Sequence, residues 1–256
     1  MAIPRKSLLE RTVLSLFGSP TKCNDLSGSI YLLAQLLGKT MKIIESQRNT
    51  GPWKRLNRGM TITQKPAETS VPLSNLIKNR WSPRLFDKNH SMSTEEIKSL
   101  GEAFRWAPSS SNQQPWHVVF LTRDGELFRN IASTGLTGFN QAWAPHASVL
   151  AVVLARKLEK GKARNQAATY FDVGLASMQM VLEAESMGLR SHFMGGILHD
   201  QISTILGADD FWVTCVVAIG KQASIEGASP EMVEREVAVR SRFLPEHAYS
   251  INERIS

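Results

Sequence analysis

The chain has 256 residues, 42% of them hydrophobic and 21% charged, enough to bury a full core as one large domain, or one domain with an extension, and too apolar for a disordered polymer. No stretch of about 18 residues is both uncharged and strongly apolar, so no transmembrane segment is expected, and two widely separated cysteines, Cys23 and Cys215, make neither a disulfide framework nor a metal-site spacing, which points to a reducing, cytoplasmic compartment. The net charge of +7 invites nucleic acid as a partner until it is located: residues 1–70 carry 11 Lys and Arg against 4 Asp and Glu, whereas residues 71–256 carry 19 of each.

Residues 1–70 therefore read as a basic N-terminal extension. Ile30, Leu33, Leu37, Met41 and Ile44 recur at helical spacing with Lys39 and Lys42 between them, one amphipathic helix. Asn49–Thr50–Gly51–Pro52 breaks it, and a polar, non-periodic linker runs on to about Val71. The late apolar run does not fit a secretory signal. A mitochondrial or plastid presequence, which would make the protein organelle-targeted, is the alternative to a poorly ordered arm or an upstream start codon, with Met41 and Met60 as later starts.

The main domain, 71–256, opens near Pro72. Ser93-Thr94-Glu95-Glu96 is a capping box, and Met92 and Ile97 are placed as its hydrophobic staple. The helix it starts carries Ile97, Leu100 and Phe104 on one face and must stop near Ala107, before Pro108. Trp116–Thr122 reads as a strand, 124–132 as a short helix and 148–155 as a second, wholly apolar strand. Residues 166–187 form a long, nearly all-apolar helix closed by Gly188, for burial in the core or in a subunit interface. A short helix at 199–206 and a strand at 212–219 follow, and residues 230–256 are polar, extended or helical. Helices and strands intermixed in this way predict a layered α+β domain rather than a βαβ repeat.

The sequence lacks G-x-G-x-x-G, the P-loop, H-E-x-x-H and G-x-S-x-G, so no metal site and no serine nucleophile are expected. Four segments remain. Arg80-Trp81-Ser82-Pro83-Arg84 sets two guanidinium groups about a hydroxyl and suits a phosphate, or is a solvated turn. Residues 107–116, APSSSNQQPW, form a loop dense in hydroxyls and amides between two prolines, suited to a polar heterocycle. Gly195-Gly196 lets the backbone approach a planar ligand, and Arg240-Ser241-Arg242 places two charges on one side of an extended segment. Each is weak alone. In this order they describe a site for a phosphorylated ring.

These segments, together with FRWAPSSSNQQPWHVVF from 104, DVGLASMQMVLEAESMGLRSHFMGG at 172–196 and VRSRFLP at 239–245, resemble the nitroreductase family of FMN-dependent oxidoreductases over roughly 72–245. The resemblance implies a mostly antiparallel central sheet flanked by helices, and an entwined homodimer with FMN at the interface. Arg80, Ser82 and Arg84 match the opening phosphate and ring contacts, and Arg240 and Arg242 the closing phosphate contacts. Pro108, Ser109, Ser110 and Asn112 match residues that reach the flavin from the second chain, with Gln114 in support. Gly195 and Gly196 match the backbone facing flavin N5, although the position of Gly195 is often acidic in the family. The implied reaction is ping-pong hydride transfer from NADH or NADPH through flavin N5 to a small organic acceptor such as a nitroaromatic, quinone or activated alkene. No catalytic side chain is needed, because the cofactor carries the chemistry. Phe139 and Trp143 are candidates for the mouth of the substrate pocket, with core packing the more usual role of such aromatics. The alternatives are a specialised flavin enzyme of this fold, dehalogenating or flavin-fragmenting, and a non-catalytic flavin-binding module. The Tyr-Glu-Lys lid of the deiodinase type is missing.

Overall fold

The computed structural model describes residues 62–252. The amphipathic helix expected at 30–44 and most of the linker lie outside the described residues. The main domain is built on a four-stranded, wholly antiparallel sheet of β1 (Trp116–Thr122), β2 (Val149–Arg156), β5 (Arg190–Met194) and β6 (Phe211–Gly220), in the order β1-β2-β6-β5. β3 (Leu158–Glu159) and β4 (Lys162–Ala163) form a separate small hairpin. The helices are α1 (Asn75–Asn79), α2 (Thr94–Arg105), α3 (Glu126–Asn130), α4 (Asn140–Trp143), α5 (Gln166–Ser186), α6 (His199–Leu206) and α7 (Pro230–Val237).

The two central strands are apolar on both faces because both faces are covered. Leu150, Val152 and Leu154 of β2 pack with Phe128, Ile131, Trp143 and Ile202, the layer of α3, α4 and α6. Val149, Ala151 and Val153 pack with Leu100, Phe104, Val173 and Met180, the layer of α2 and α5. The alternation slips once in β6: the register shifts between Val153 and Leu154, so that Cys215 opposes Val153 and Val213 opposes Leu154. Thr214 is the extra residue of this bulge, and its Oγ1 donates to the Val153 carbonyl at 2.9 Å.

Most expected elements are present. Ser93 and Glu96 form the full capping box and Met92 is buried beside Ile97. α2 gives out at Arg105, and Gly188, at φ 74°, follows the end of α5 in the left-handed region. The helix expected at 124–132 is shorter and continues as a π-helical turn, Ile131–Gly135. β5, α1, α4 and the β3–β4 hairpin add to the sequence reading.

Candidate functional site

Past α1 the chain becomes extended at Arg80 and runs as a strip beside β5. Phe86 pairs with Gln222, the Asp87 N–H donates to the Lys221 carbonyl, and the His192 Nδ1 lies 2.9 Å from the Pro83 carbonyl. Successive side chains of an extended strip point to opposite sides. Trp81 and Pro83 are buried, while Arg80, Ser82 and Arg84 stay half-buried, so the three expected ligands share one side. The strip is fastened from below, where the Arg84 N–H donates at 2.9 Å to the carboxylate of Glu236, which is only 1% exposed.

Glu236 lies on α7, four residues before Arg240. Arg240 Nη1 donates to the carbonyls of Lys65 (2.5 Å) and Lys78 (3.4 Å), which brings it to the end of α1 beside Arg80. Burial, and after it the charge of Arg242, lowers the pKa of Arg80; burial, and then Arg80 and Arg242, lowers that of Arg240. The carboxylate that acts on Arg80 is Glu185, already engaged in an ion pair with Arg190. Among the described residues, three guanidinium groups thus gather without a carboxylate of their own, an arrangement that an incoming anion relieves. A flavin phosphate fits this donor set.

β5 delivers the second part of the site. Both Gly195 and Gly196 are exposed at its end. A Cβ on Gly195 would meet nothing within 4 Å, so that side is open, whereas one on Gly196 would lie 3.0 Å from Asn140 Nδ2 and 3.1 Å from Thr137 Oγ1. The Gly196 carbonyl is taken by the Thr137 N–H and Asn140 Nδ2. At about 3.3 Å per residue, Gly195 stands roughly 10 Å beyond His192, so strip and glycines can flank one ring system.

The loop 108–114 lies elsewhere. Ser111 (φ 49°), Asn112 (φ 52°) and Gln114 (φ 45°) all occupy the left-handed region, where non-glycine residues are found mainly at constrained, functional positions. Ser109 Oγ accepts from the Gln114 N–H at 3.0 Å, Gln114 Nε2 donates to Asn112 Oδ1 at 3.0 Å, and the Ser110 N–H points at both oxygens of buried Asp172 at 3.3 Å. This loop enters β1, and β1 and β5 are the opposite edges of the sheet. Three inter-strand spacings of about 4.8 Å separate them. One chain does not bring Pro108, Ser109, Ser110, Asn112 and Gln114 to Arg80 and Gly195.

The aromatic pair divides. Trp143 is 0% exposed, stacked with Phe86 at 6.0 Å and set 4.5 Å from the His192 ring, so it is core and not a pocket mouth. Phe139 is half-buried at the core margin with Arg235 4.2 Å over its ring. Sequence reasoning passed over Glu236, Lys65 and Asp172; only contacts from distant segments mark them.

The nitroreductase family model matches residues 77–134 and 132–221. The chain belongs to the nitroreductase family. A solved structure described as an oxidoreductase containing FMN is 34% identical, with a TM-score of 0.67, covering 74% of this chain and 96% of its own. A nitroreductase family protein from Clostridium difficile 630 shares the fold at 20% identity and a TM-score of 0.54, covering 72% of this chain and 99% of that one. Among curated nitroreductases, the oxygen-insensitive NADPH nitroreductase of Helicobacter acinonychis (strain Sheeba) is 39% identical over 82 residues. That match spans 32% of this chain and 38% of the relative's length. Among the described residues no helix is long and apolar enough to cross a membrane.

Proposed function

We propose that this nitroreductase family member is an FMN-dependent NAD(P)H oxidoreductase acting as a homodimer, with each site shared between two chains. The observation that carries the reading is the division of the site residues: a cation cluster that has, among the described residues, no carboxylate of its own and an open Gly195 lie at one sheet edge, and the polar loop 108–114 lies at the other. A second copy completes what one chain leaves apart. The exposed side of α5 supports the pairing, since it presents Tyr170, Phe171 and Met178, with Phe171 68% exposed.

In this reading Arg80, Arg240 and Arg242 hold the FMN phosphate, and Ser82 and Arg84 reach its ribityl and ring portions. Gly195 and Gly196 bring backbone to the N5 edge, and Pro108, Ser109, Ser110 and Asn112 of the second copy close over the flavin, braced by Gln114. When bound, FMN supplies the hydride chemistry, from NADH or NADPH to a small organic acceptor such as a nitroaromatic, quinone or activated alkene. The chain's own part is to neutralise the phosphate, orient the ring and leave one face open for donor and acceptor in turn, which gives ping-pong kinetics. Gly195 places no carboxylate beside the ring, so an anionic acceptor meets no like charge there. Burial pushes the Cys215 thiol up to about 11, which keeps it protonated and unreactive.

Anaerobic stopped-flow mixing of the FMN-loaded protein with NADH or NADPH tests the reading. The flavin absorbance is expected to bleach and to return on adding acceptor; a flavin that bleaches with neither donor is a non-catalytic module. Arg242 is exposed and, among the described residues, donates only locally, to the Ser241 carbonyl. Arg242→Ala is therefore expected to leave folding intact and to weaken FMN binding by about tenfold or more, the ~1.5–3 kcal/mol of a charge-assisted hydrogen bond. Unchanged retention of FMN through dialysis would remove Arg242 from the phosphate.

A further inference from the structure

A cleft of about 460 Å³ opens beside the loop 108–114, walled by Ser110 and Gln113, by the β3–β4 hairpin and by the first turns of α5. The hairpin is pinned to the loop. Arg164, with its side chain 8% exposed, donates to Gln113 Oε1 at 2.7 Å and pairs with Glu159 at 3.2 Å. Both carboxylates that line the cleft are engaged, Glu159 by Arg164 and the buried Asp172 by the Ser110 N–H. The rim keeps Lys160 and Lys162, both exposed and, among the described residues, without an ion-pair partner. Lys160 (φ 47°) and Gly161 (φ 77°) are the two central residues of the hairpin turn. Both φ values are positive, as in a turn that ordinarily takes Asn, Asp or Gly first. A lysine is held at the tip of a tethered hairpin, against conformational preference.

We propose that this cleft binds the 2′-phosphate end of NADPH, with Lys160 and Lys162 as the residues that discriminate NADPH from NADH. The assignment rests on the shared-site reading above: Ser110 both lines the cleft and reaches the flavin of the second copy, so a dinucleotide whose nicotinamide stacks on that flavin can extend its adenosine end into this cleft. The volume is in the range of a nucleotide-sized pocket. Lysines serve as point charges for a phosphate monoester.

The test compares wild type with Lys160→Gln/Lys162→Gln, both substitutions on exposed side chains. Calorimetry with adenosine 2′,5′-bisphosphate and with 5′-AMP reads binding without turnover. Wild type is expected to bind the bisphosphate about tenfold more tightly, a preference weakened by salt, and the double variant is expected to lose it. In the reductive half-reaction the double variant is expected to show a raised apparent Kd for NADPH, an unchanged one for NADH and wild-type FMN content. Equal affinities of the two nucleotides for wild type, or a double variant that handles both donors as wild type does, overturns the assignment. Weakening confined to carboxylated acceptors also overturns it, because the cleft then serves the acceptor. A flavin that neither donor reduces sinks the oxidoreductase reading itself, an outcome distinct from these.

Discussion

The imidazole of His192 sits between the phosphate-side strip and the core, with Nδ1 donating to the Pro83 carbonyl at 2.9 Å. Burial, with Arg84 and Arg80 adding to it against the hydrogen bond to Pro83, lowers its pKa from 6.5 to about 4. A base whose folded pKa is depressed adds stability that is complete above its unfolded value and is lost as pH falls through the folded one. The fold is therefore expected to lose up to about 3 kcal/mol from this group between pH 6.5 and pH 4. His192→Gln, followed by chemical denaturation across that range, is expected to flatten the slope; an unchanged slope assigns the acid sensitivity elsewhere. Glu236 runs the other way, because burial raises its pKa, so its contribution is greatest when protonated and falls as pH rises. Its role was illegible in the sequence. In PEMVEREV it looks like its neighbours Glu231 and Glu234, and only the Arg84 N–H and the side chain of Gln222, arriving from far along the chain, give it a reason to turn inward. The arginines were legible because their pairing at i and i+2 survives in any extended strip.

At the scale of elements, the sequence spoke where local chemistry closes the account. The Ser93–Glu96 box, the Pro108 stop and Gly188 each involve groups a few residues apart, and β1 and α6 fall on the expected residues. Gly188→Ala would meet no atom within 4 Å, so its cost is conformational alone, about 1 kcal/mol at φ 74°. A melt unchanged by this substitution would mean that the cap relaxes. β5 escaped notice because Arg190-Ser191-His192-Phe193-Met194 has its polar residues on both faces. Ser191 is buried, and His192 is fixed by Pro83. The bulge at Thr214 was hidden for a different reason: a single threonine among apolar residues suits a regular strand equally well, and only the pairing with β2 shows that the two core faces exchange there. The long α5 was legible as apolar all round, but not which side would stay uncovered. Phe171→Lys places a charge on that side and is expected to yield monomers by light scattering with depleted FMN; dimers that keep their flavin would place the interface elsewhere.

At the scale of the whole molecule, the opening charge of +7 belongs to residues 1–70, and 71–256 is balanced. Function in the balanced part depends on where a few charges fall: Arg80 of the strip meets Arg240 and Arg242 from beyond α7, and the carboxylate nearest Arg80, Glu185, is already engaged by Arg190. The sheet sets the rest, because it places the two halves of the candidate site at opposite edges. The central claim is that two chains restore what one separates, and a mixed dimer tests it most directly. One chain carries Arg80→Ala/Arg242→Ala, the other Ser110→Ala/Asn112→Ala, and differently tagged heterodimers are isolated. Each heterodimer then contains one intact site and one doubly impaired site. FMN retained by the heterodimer, at one flavin per dimer and well above either parent homodimer, is the result expected; a heterodimer that retains no more than its parents would contradict the shared site.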